Sequence, residues 1–181
     1  HTLDSDAINQ AILAAAAVGG GTVYFPPGTY LSASIRLRSN ITLYLEAGAT
    51  LEAASEKEAK FDEPEPNEWG DKFRYQDFGH SHWQNSLIWG IGLKNISILG
   101  PGLIHGKGLD NGFDRFAENN RRYRPNPPGS GNKAIALREC HNVILRDFSI
   151  LHGGWFAILA TGVNNLTIDN LKIDTNRDGM D

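Results

Sequence analysis

The chain lacks the disulfide bonds that stabilise many small extracellular domains and the long apolar run that spans a membrane. Its 181 residues include one cysteine, Cys140, so no disulfide can form within the chain. No apolar run approaches the ~18 residues of a membrane-spanning helix. The formal net charge of −4 gives no general attraction to nucleic acid or to anionic membranes. We therefore expect neither a nucleic-acid partner nor a membrane partner, and an anionic substrate would need local arginine or lysine.

A helical pattern is clear only once, at the start of the chain. Residues 4–6 (Asp-Ser-Asp) offer side chains that can cap a helix, and apolar residues then recur at helical spacing as far as the glycines at 19–21. From Thr22 onward the sequence consists of short β-branched runs interrupted by Gly, Pro and Asn. We therefore predict a short capping helix within residues 1–21, followed by strands.

An internal repeat decides the predicted fold. The segments NVILRDFSI, from Asn142, and NLTIDNLKI, from Asn165, place apolar residues one, three, six and eight positions after the asparagine. The offset between these two asparagines is 23, and the offset from Asn95 to Asn142 is 47, close to two such periods. A period near 23 without an internal helix is typical of a solenoid, in which short strands pair with their copies one turn later.

We predict an all-β fold, a right-handed parallel β-helix in which residues 1–181 form one domain and residues 22–181 form the coils. A leucine-rich repeat is the alternative, but its longer Leu-x-x-Leu-x-Leu frame is not found. Two stretches, near residues 54–86 and 109–132, interrupt the period, and we expect them to be loops that wall a binding groove. The abrupt start and end suggest a removed leader and a solenoid truncated at its C-terminus.

Three segments carry a resemblance to a known family. They are the opening stretch from DSDAINQ to GATL, the stretch SLIWGIGLKNISILGPGLIHGKG, and the last eight residues, DTNRDGMD. Together they resemble the pectin-degrading glycoside hydrolases of family 28, typified by polygalacturonases. The last segment resembles the first of the four active-site motifs of that family, Asn-Thr-Asp-Gly followed by an apolar residue and Asp. Asn176, Asp178, Gly179 and Asp181 match this motif, whereas Arg177 replaces its threonine.

The resemblance implies a secreted or periplasmic enzyme that degrades cell-wall pectin by inverting hydrolysis of α-linked galacturonic acid. It implies that Asp178 is one of the catalytic base carboxylates. The other family motifs, an Asp-Asp pair, Gly-His-Gly and Arg-x-Lys, are expected further along, so we expect residues 1–181 alone to be inactive. The sequence shows no metal-ligand spacing and no phosphate-binding loop, so we expect no cofactor and no metal.

Three motif residues are candidates for binding pectic polysaccharide or an oligogalacturonide. Asn176 matches the family motif. Arg177 can hold a uronate carboxylate through two hydrogen bonds, or it can pair with Asp174. Asp181 can bond sugar hydroxyls or brace the corner of the chain. An Asp-Gly pair is also a common turn, so a corner at Asp178 is the structural alternative to a catalytic one.

Two residues one coil earlier complete the candidate binding set. His152 and Trp155 precede the motif, and Trp155 precedes Asp178 by the offset of the repeat. If the repeat continues without a bulge, Trp155 stands beside Asp178 on the neighbouring strand. There it can bear on a sugar face or pack into the core or rim.

Three other functions fit the sequence. Arg177, and His105 where an aspartate is common in the family, favour a member directed at rhamnogalacturonan or acting from chain ends. A non-catalytic β-helix that only binds polysaccharide is a second alternative. A calcium-dependent pectate lyase on a similar scaffold is a third.

Overall fold

The computed structural model describes residues 2–66, 82–111, 128–175 and 178–180. Residues 178–180 are described by their backbone alone. In these ranges no helix is long and apolar enough to cross a membrane. The helix is α1, Ser5–Ala17. The strands are β1 (Gly21–Phe25), β2 (Gly28–Ser32), β3 (Ile35–Arg36), β4 (Ile41–Leu45), β5 (Ala49–Ala53), β6 (Ile88–Ile91), β7 (Lys94–Leu99), β8 (Leu103–His105), β9 (Lys133–Arg138), β10 (His141–Arg146), β11 (Ser149–Leu151), β12 (Phe156–Thr161), β13 (Asn164–Asp169), β14 (Lys172–Asp174) and β15 (Asp178–Met180).

The strands of the described ranges form three parallel sheets, and every coil gives one strand to each sheet. Sheet 1 has the order β1-β4-β7-β10-β13, sheet 2 the order β2-β5-β8-β11-β14, and sheet 3 the order β3-β6-β9-β12-β15. Each strand pairs with the equivalent strand one coil later, which is the arrangement of a parallel β-helix. The all-β solenoid predicted from the sequence is therefore confirmed.

Side chains alternate between the core and the surface along each strand, because successive residues of a strand point to opposite faces. In β4, Ile41, Leu43 and Leu45 are buried, and the two residues between them are partly exposed. Burying an aliphatic side chain of this size contributes roughly 1.5–3 kcal/mol. At the N-terminal end, Ile8 and Ile12 of α1 pack on this core and close it. The helix therefore covers the first coil.

Two side chains predicted to cap α1 instead attach it to the sheet. The Ser5 hydroxyl accepts a hydrogen bond from the backbone N–H of Ala33 at 2.8 Å, and Asp4 Oδ2 accepts one from Leu31 N–H at 3.2 Å. Asp4 occupies the N-cap position without a side-chain cap hydrogen bond. The capping prediction is wrong for Asp4, because its carboxylate bonds to backbone at the end of β2.

The strand register confirms the repeat but corrects the interpretation of Asn95. Strand β10 pairs with β13 on one side and with β7 on the other. Asn95 therefore lies one coil before Asn142 rather than two, because the stretch near residues 109–132 lengthens that coil. Strands β4 and β7 are likewise adjacent. Asn40, directly before β4, and Asn95, within β7, are still further apart in the sequence than Asn95 and Asn142.

A ladder of asparagines marks the same corner in four successive coils. The amide Nδ2 of Asn95 donates to Asn40 Oδ1 at 2.8 Å, Asn142 donates to Asn95 at 2.9 Å, and Asn165 donates to Asn142 at 2.8 Å. All four have left-handed backbone, with φ between 56° and 64°. Asparagine tolerates this conformation better than most residues. Asparagine therefore suits the left-handed backbone at these corners, and its amide links each coil to the next.

Replacement of Asn142 by alanine is expected to lower the free energy of unfolding by about 3 kcal/mol. The change removes two ladder hydrogen bonds, at about 1 kcal/mol each, and forces alanine into left-handed backbone at a further cost of roughly 1–2 kcal/mol. Asn142→Gly removes the same bonds without the backbone term, so it should be less destabilising by about 1 kcal/mol. Urea unfolding of both variants measures the difference. Equal losses for alanine and glycine would contradict the backbone term.

Candidate active site

The motif aspartate lies on a strand of the solenoid, at one edge of sheet 3. Strand β15 pairs with β12, so that Phe156 is opposite Asp178 and Ile158 is opposite Met180. Asp178 and Gly179 therefore belong to a strand, and the alternative that this pair forms a corner is wrong for the backbone. Asn176, Arg177 and Asp181 lie outside the described residues.

The register places Phe156, not Trp155, beside Asp178. In sheet 2, Leu151 pairs with Asp174 at the full offset of the repeat, whereas the offset from Phe156 to Asp178 in sheet 3 is shorter by one. The connection from β14 to β15 is one residue shorter than the connection from β11 to β12, and the missing residue shifts the register. The predicted position of Trp155 beside Asp178 is therefore wrong.

Trp155 is part of a buried aromatic cluster. Its side chain is 1% exposed and packs with Trp83, Phe156 and Leu159. Its backbone N–H donates to Asn132 O at 2.8 Å, which continues the hydrogen bonding between coils. Of the two roles open to this tryptophan, the structure shows the packing role.

His152 occupies the turn beside the motif. It follows β11 with left-handed backbone, φ 56°, and its side chain is exposed. Its N–H donates to Asp174 O at 3.0 Å, and the N–H of the next residue, Gly153, donates to Thr175 Oγ1 at 3.4 Å. The ring centroid of His152 is 5.4 Å from that of His105. The turn of His152 thus contacts the segment that leads into the motif.

A buried lysine, which the sequence does not single out, lies in the same row of cross-strand partners in sheet 3 as Asp178. Lys133 begins β9 and pairs with Phe156, which pairs in turn with Asp178. Lys133 is 0% exposed, and its ammonium donates to the amide oxygens of Asn85, at 3.3 Å, and of Asn132. The one sequence signal is the pair of polar residues, Asn132-Lys133, directly before the apolar run of β9.

The described ends of the stretch near residues 54–86 cover the outer face of sheet 3. Asp62 accepts hydrogen bonds from Arg36 Nε at 2.8 Å and from Trp89 Nε1 at 2.9 Å. Both partners belong to strands of sheet 3. The hydrogen bond to the Asp62 carboxylate raises the pKa of Arg36 above its usual value, so this guanidinium stays charged.

Trp83 covers the same face further along the axis. Its indole N–H donates to Thr161 Oγ1 at 3.2 Å, and the guanidinium carbon of Arg138 lies 4.8 Å from its ring centroid. Glu65 holds this segment by accepting from the backbone N–H of Trp83 at 2.8 Å. We call Asp62, Glu65 and Trp83 the roof of sheet 3. The roof lies over the coils that precede β15.

Comparison with known proteins identifies the scaffold. The sequence profile of a family described as rhamnogalacturonase A/epimerase, pectate lyase-like, matches residues 1–181. A search of curated proteins finds no match by sequence. Among solved structures, a candidate glycosyl hydrolase from Parabacteroides merdae ATCC 43184 superposes with a TM-score of 0.72 at 22% identity, over 99% of this chain and 72% of that chain.

Two exopolygalacturonases have the same fold. The family 28 enzyme of Yersinia enterocolitica gives a TM-score of 0.71 at 24% identity, over 99% of this chain and 38% of its own. The hyperthermoactive enzyme of Thermotoga maritima gives 0.70 at 18% identity, over 97% of this chain and 44% of its own. The chain thus spans less than half the length of either enzyme. The resemblance to family 28 inferred from the sequence is confirmed.

Proposed function

Because the chain belongs to the rhamnogalacturonase A/epimerase, pectate lyase-like family over residues 1–181, we propose that it carries part of the active site of a glycoside hydrolase acting on pectic polysaccharide. The reaction is inverting hydrolysis of α-linked galacturonic acid. The observation that carries this proposal is the position of Asp178 on a strand of sheet 3, where pairing with β12 fixes its backbone. A rigid strand is a better support for a catalytic carboxylate than a loop.

Asp178 acts as a general base that accepts a proton from the attacking water. Inverting hydrolysis also needs a carboxylic acid to protonate the leaving oxygen, ~6.5–9.5 Å from the base, so that water fits between them. Asp178 is the one acidic residue in the five described strands of sheet 3. The acid therefore comes from outside these strands. If it belongs to the further motifs that the family resemblance implies, residues 1–181 alone should be inactive.

Substrate contacts come from the motif and from the turn beside it. Arg177 binds a uronate carboxylate through its two parallel N–H donors, a geometry that lysine cannot supply. Asn176, Asp181 and His152 bond sugar hydroxyls. Trp155 is not carried into this set, because its side chain is buried. The polymeric substrate lies outside the cell, and we propose a secreted or periplasmic location for that reason.

The decisive test is the product formed from polygalacturonate by the full-length protein. Hydrolysis releases one reducing end per cleavage without ultraviolet absorption, and NMR of the first product gives the β-anomer for inversion of an α-link. An unsaturated product absorbing in the ultraviolet, together with loss of activity in chelator, indicates a calcium-dependent lyase. Binding of the polymer without cleavage indicates the non-catalytic alternative.

The roof of sheet 3 favours an enzyme that acts from chain ends. A polymer that runs from β15 along the axis toward the preceding coils would meet the outer face that Asp62 and Trp83 cover. We therefore expect mono- or digalacturonate as the dominant product from the first minutes, with little loss of viscosity. Chromatography of early time points measures this ratio. A mixture of long oligomers and a rapid fall in viscosity would contradict end-wise cleavage.

A further inference from the structure

A hollow follows the corner between sheets 1 and 2, and we call it the corner hollow. Three successive turns form it, from β7 to β8, from β10 to β11 and from β13 to β14, and β4 adds the coil before them. The side chains used below are those of Tyr44, Pro101, Arg146, Asp147, Asn170 and Lys172. Its volume is about 410 Å³, within the ~300–1,000 Å³ of ligand sites. Its described lining belongs to sheets 1 and 2 and their turns, whereas Asp178 is on sheet 3.

Two positive charges line the corner hollow. Arg146 ends β10 directly after the buried Leu145, so its side chain points away from the core. Lys172 begins β14 and is exposed. In the part of the chain that the structure describes, neither side chain has a carboxylate oxygen within 4.0 Å of its charged nitrogens, and this includes Asp169, the cross-strand partner of Arg146. Both charges can therefore meet an anion.

The same turns also supply an amide and a carboxylate. Asn170 Nδ2 donates to Asp147 Oδ1 at 2.9 Å, and both residues have left-handed backbone. A carboxylate has two acceptor oxygens, and a primary amide has one acceptor oxygen and two N–H groups, so both groups can bond beyond this contact. Sugar hydroxyls donate and accept, and they match such a pair. An inorganic anion is repelled by the carboxylate. The mixture of groups therefore favours a ligand that carries both carboxylates and hydroxyls.

The apolar contacts of the corner hollow come mainly from Tyr44 and Pro101. The ring of Tyr44 stacks on that of Tyr24, with centroids 5.8 Å apart and 13° between the planes, so a neighbour supports it. Along the axis, Tyr44 pairs with Leu99, and Leu99 pairs with Arg146. A tyrosine combines an apolar ring with a polar hydroxyl, which suits the apolar and polar parts of a sugar. Aromatic and cationic groups thus follow one another along the same row.

We propose that the corner hollow binds an acidic oligosaccharide, a short chain of uronic acid sugars, in addition to the proposed site at Asp178. Arg146 holds one carboxylate through two parallel N–H donors, and Lys172 attracts a second as a point charge. Asp147 and Asn170 bond the hydroxyls. Four coils at a spacing of ~4.8 Å give a length of roughly 14 Å, which exceeds a single sugar ring. The ligand class follows from the groups in the hollow, so this inference does not depend on hydrolysis.

Labelling of lysines measures occupancy of the corner hollow directly. The full-length Asp178→Asn protein is treated briefly with an amine-reactive ester, with and without trigalacturonate, and peptide mass spectrometry gives the rate at each lysine. Asp178→Asn is used so that the probe is not hydrolysed. At a trigalacturonate concentration about ten times the dissociation constant, Lys172 should react about tenfold more slowly, because bound lysine is shielded. Lys57 and Lys94, which are exposed elsewhere, should react at unchanged rates.

Arg146→Gln tests whether the guanidinium contributes to the same site. It removes charged hydrogen bonds to the ligand, so the trigalacturonate concentration that half-protects Lys172 should rise about tenfold. Lys94→Gln is the matched control, because it removes one positive charge from sheet 1 outside the hollow, and it should leave that concentration unchanged. Maltotriose tests the need for carboxylates, and inorganic phosphate tests the need for a sugar. Neither should protect Lys172 at the same concentration.

Protection of Lys172 by trigalacturonate that Arg146→Gln weakens supports the proposal. It is overturned by unprotected Lys172, by equal protection of Lys57 and Lys94, by an unchanged half-protecting concentration in Arg146→Gln, or by equal protection with maltotriose or phosphate. The hydrolysis assay gives a separate result. A protein that cleaves polygalacturonate without protection of Lys172 loses the corner hollow alone. A protein that shows the protection but does not cleave the polymer loses only the hydrolytic function.

Discussion

In the full-length protein, Asp178→Asn is expected to lower kcat on polygalacturonate by about 10³-fold. An amide cannot accept the proton of the attacking water, and loss of a positioned general base typically costs about 10²–10⁴-fold in rate. The side chains have the same shape, so packing is preserved. The loss should fall on kcat, because the interaction is made in the transition state, and KM should change by less than about threefold.

The matched control for this variant is Asp169→Asn. Asp169 is exposed at the end of β13 in sheet 1, and it undergoes the same chemical change. It should keep full activity. Initial rates of reducing-end release, with circular dichroism to verify folding, make the comparison. Near-normal activity of Asp178→Asn would remove Asp178 from the mechanism, and equal losses in both variants would indicate a nonspecific effect of the substitution.

The second large effect is expected in the turn between β7 and β8, where Gly100→Ala should lower the free energy of unfolding by about 4 kcal/mol or more. Gly100 has φ +99°, and a Cβ there would lie 2.3 Å from the carbonyl oxygen of Leu45. That oxygen belongs to the backbone of the preceding coil, so it cannot move away as a flexible side chain can. The expected loss combines left-handed strain with this clash.

Gly92→Ala isolates the backbone term of this prediction. Gly92 also has left-handed backbone, φ +66°, but among the described residues, its two chain neighbours aside, no atom lies within 4 Å of the position that a Cβ would take. The free energy of unfolding of Gly92→Ala should fall by only about 1–2 kcal/mol, the cost of placing alanine in left-handed backbone. Urea unfolding of both variants gives the difference. If Gly100→Ala is no worse than Gly92→Ala, the coils are less tightly stacked at this corner than the structure indicates.

The sequence predicted those parts of the molecule that repeat. The apolar positions after Asn142 and Asn165 recur because each strand alternates between core and surface and pairs with its copy. That rule predicted the parallel β-helix and the register of its last two coils in sheets 1 and 2. It did not predict the coil that contains Asn95, because the spacing from Asn95 to Asn142 fits two short coils as well as one long coil.

The site depends on features that a repeat does not encode. A connection shorter by one residue places Phe156 rather than Trp155 beside Asp178, and periodicity cannot locate such a deletion within a turn. In the sequence, Lys133 resembles a solvated lysine at the end of an interruption, and only tertiary structure shows that it is buried. The motif itself was found by resemblance, since three carboxylates in so short a segment are also compatible with a polar corner.

The unequal coil lengths bear on how this scaffold can diversify. The interval between equivalent asparagines in two of the coils is at least twice the interval between Asn142 and Asn165, yet their strands remain paired. Doubling the length of a flexible loop adds only about 0.6 kcal/mol to the entropic cost of closing it. New segments can therefore enter between two strands at little thermodynamic cost. Evolution can reshape the surface around the motif by lengthening single coils, while the core that carries Asp178 stays the same.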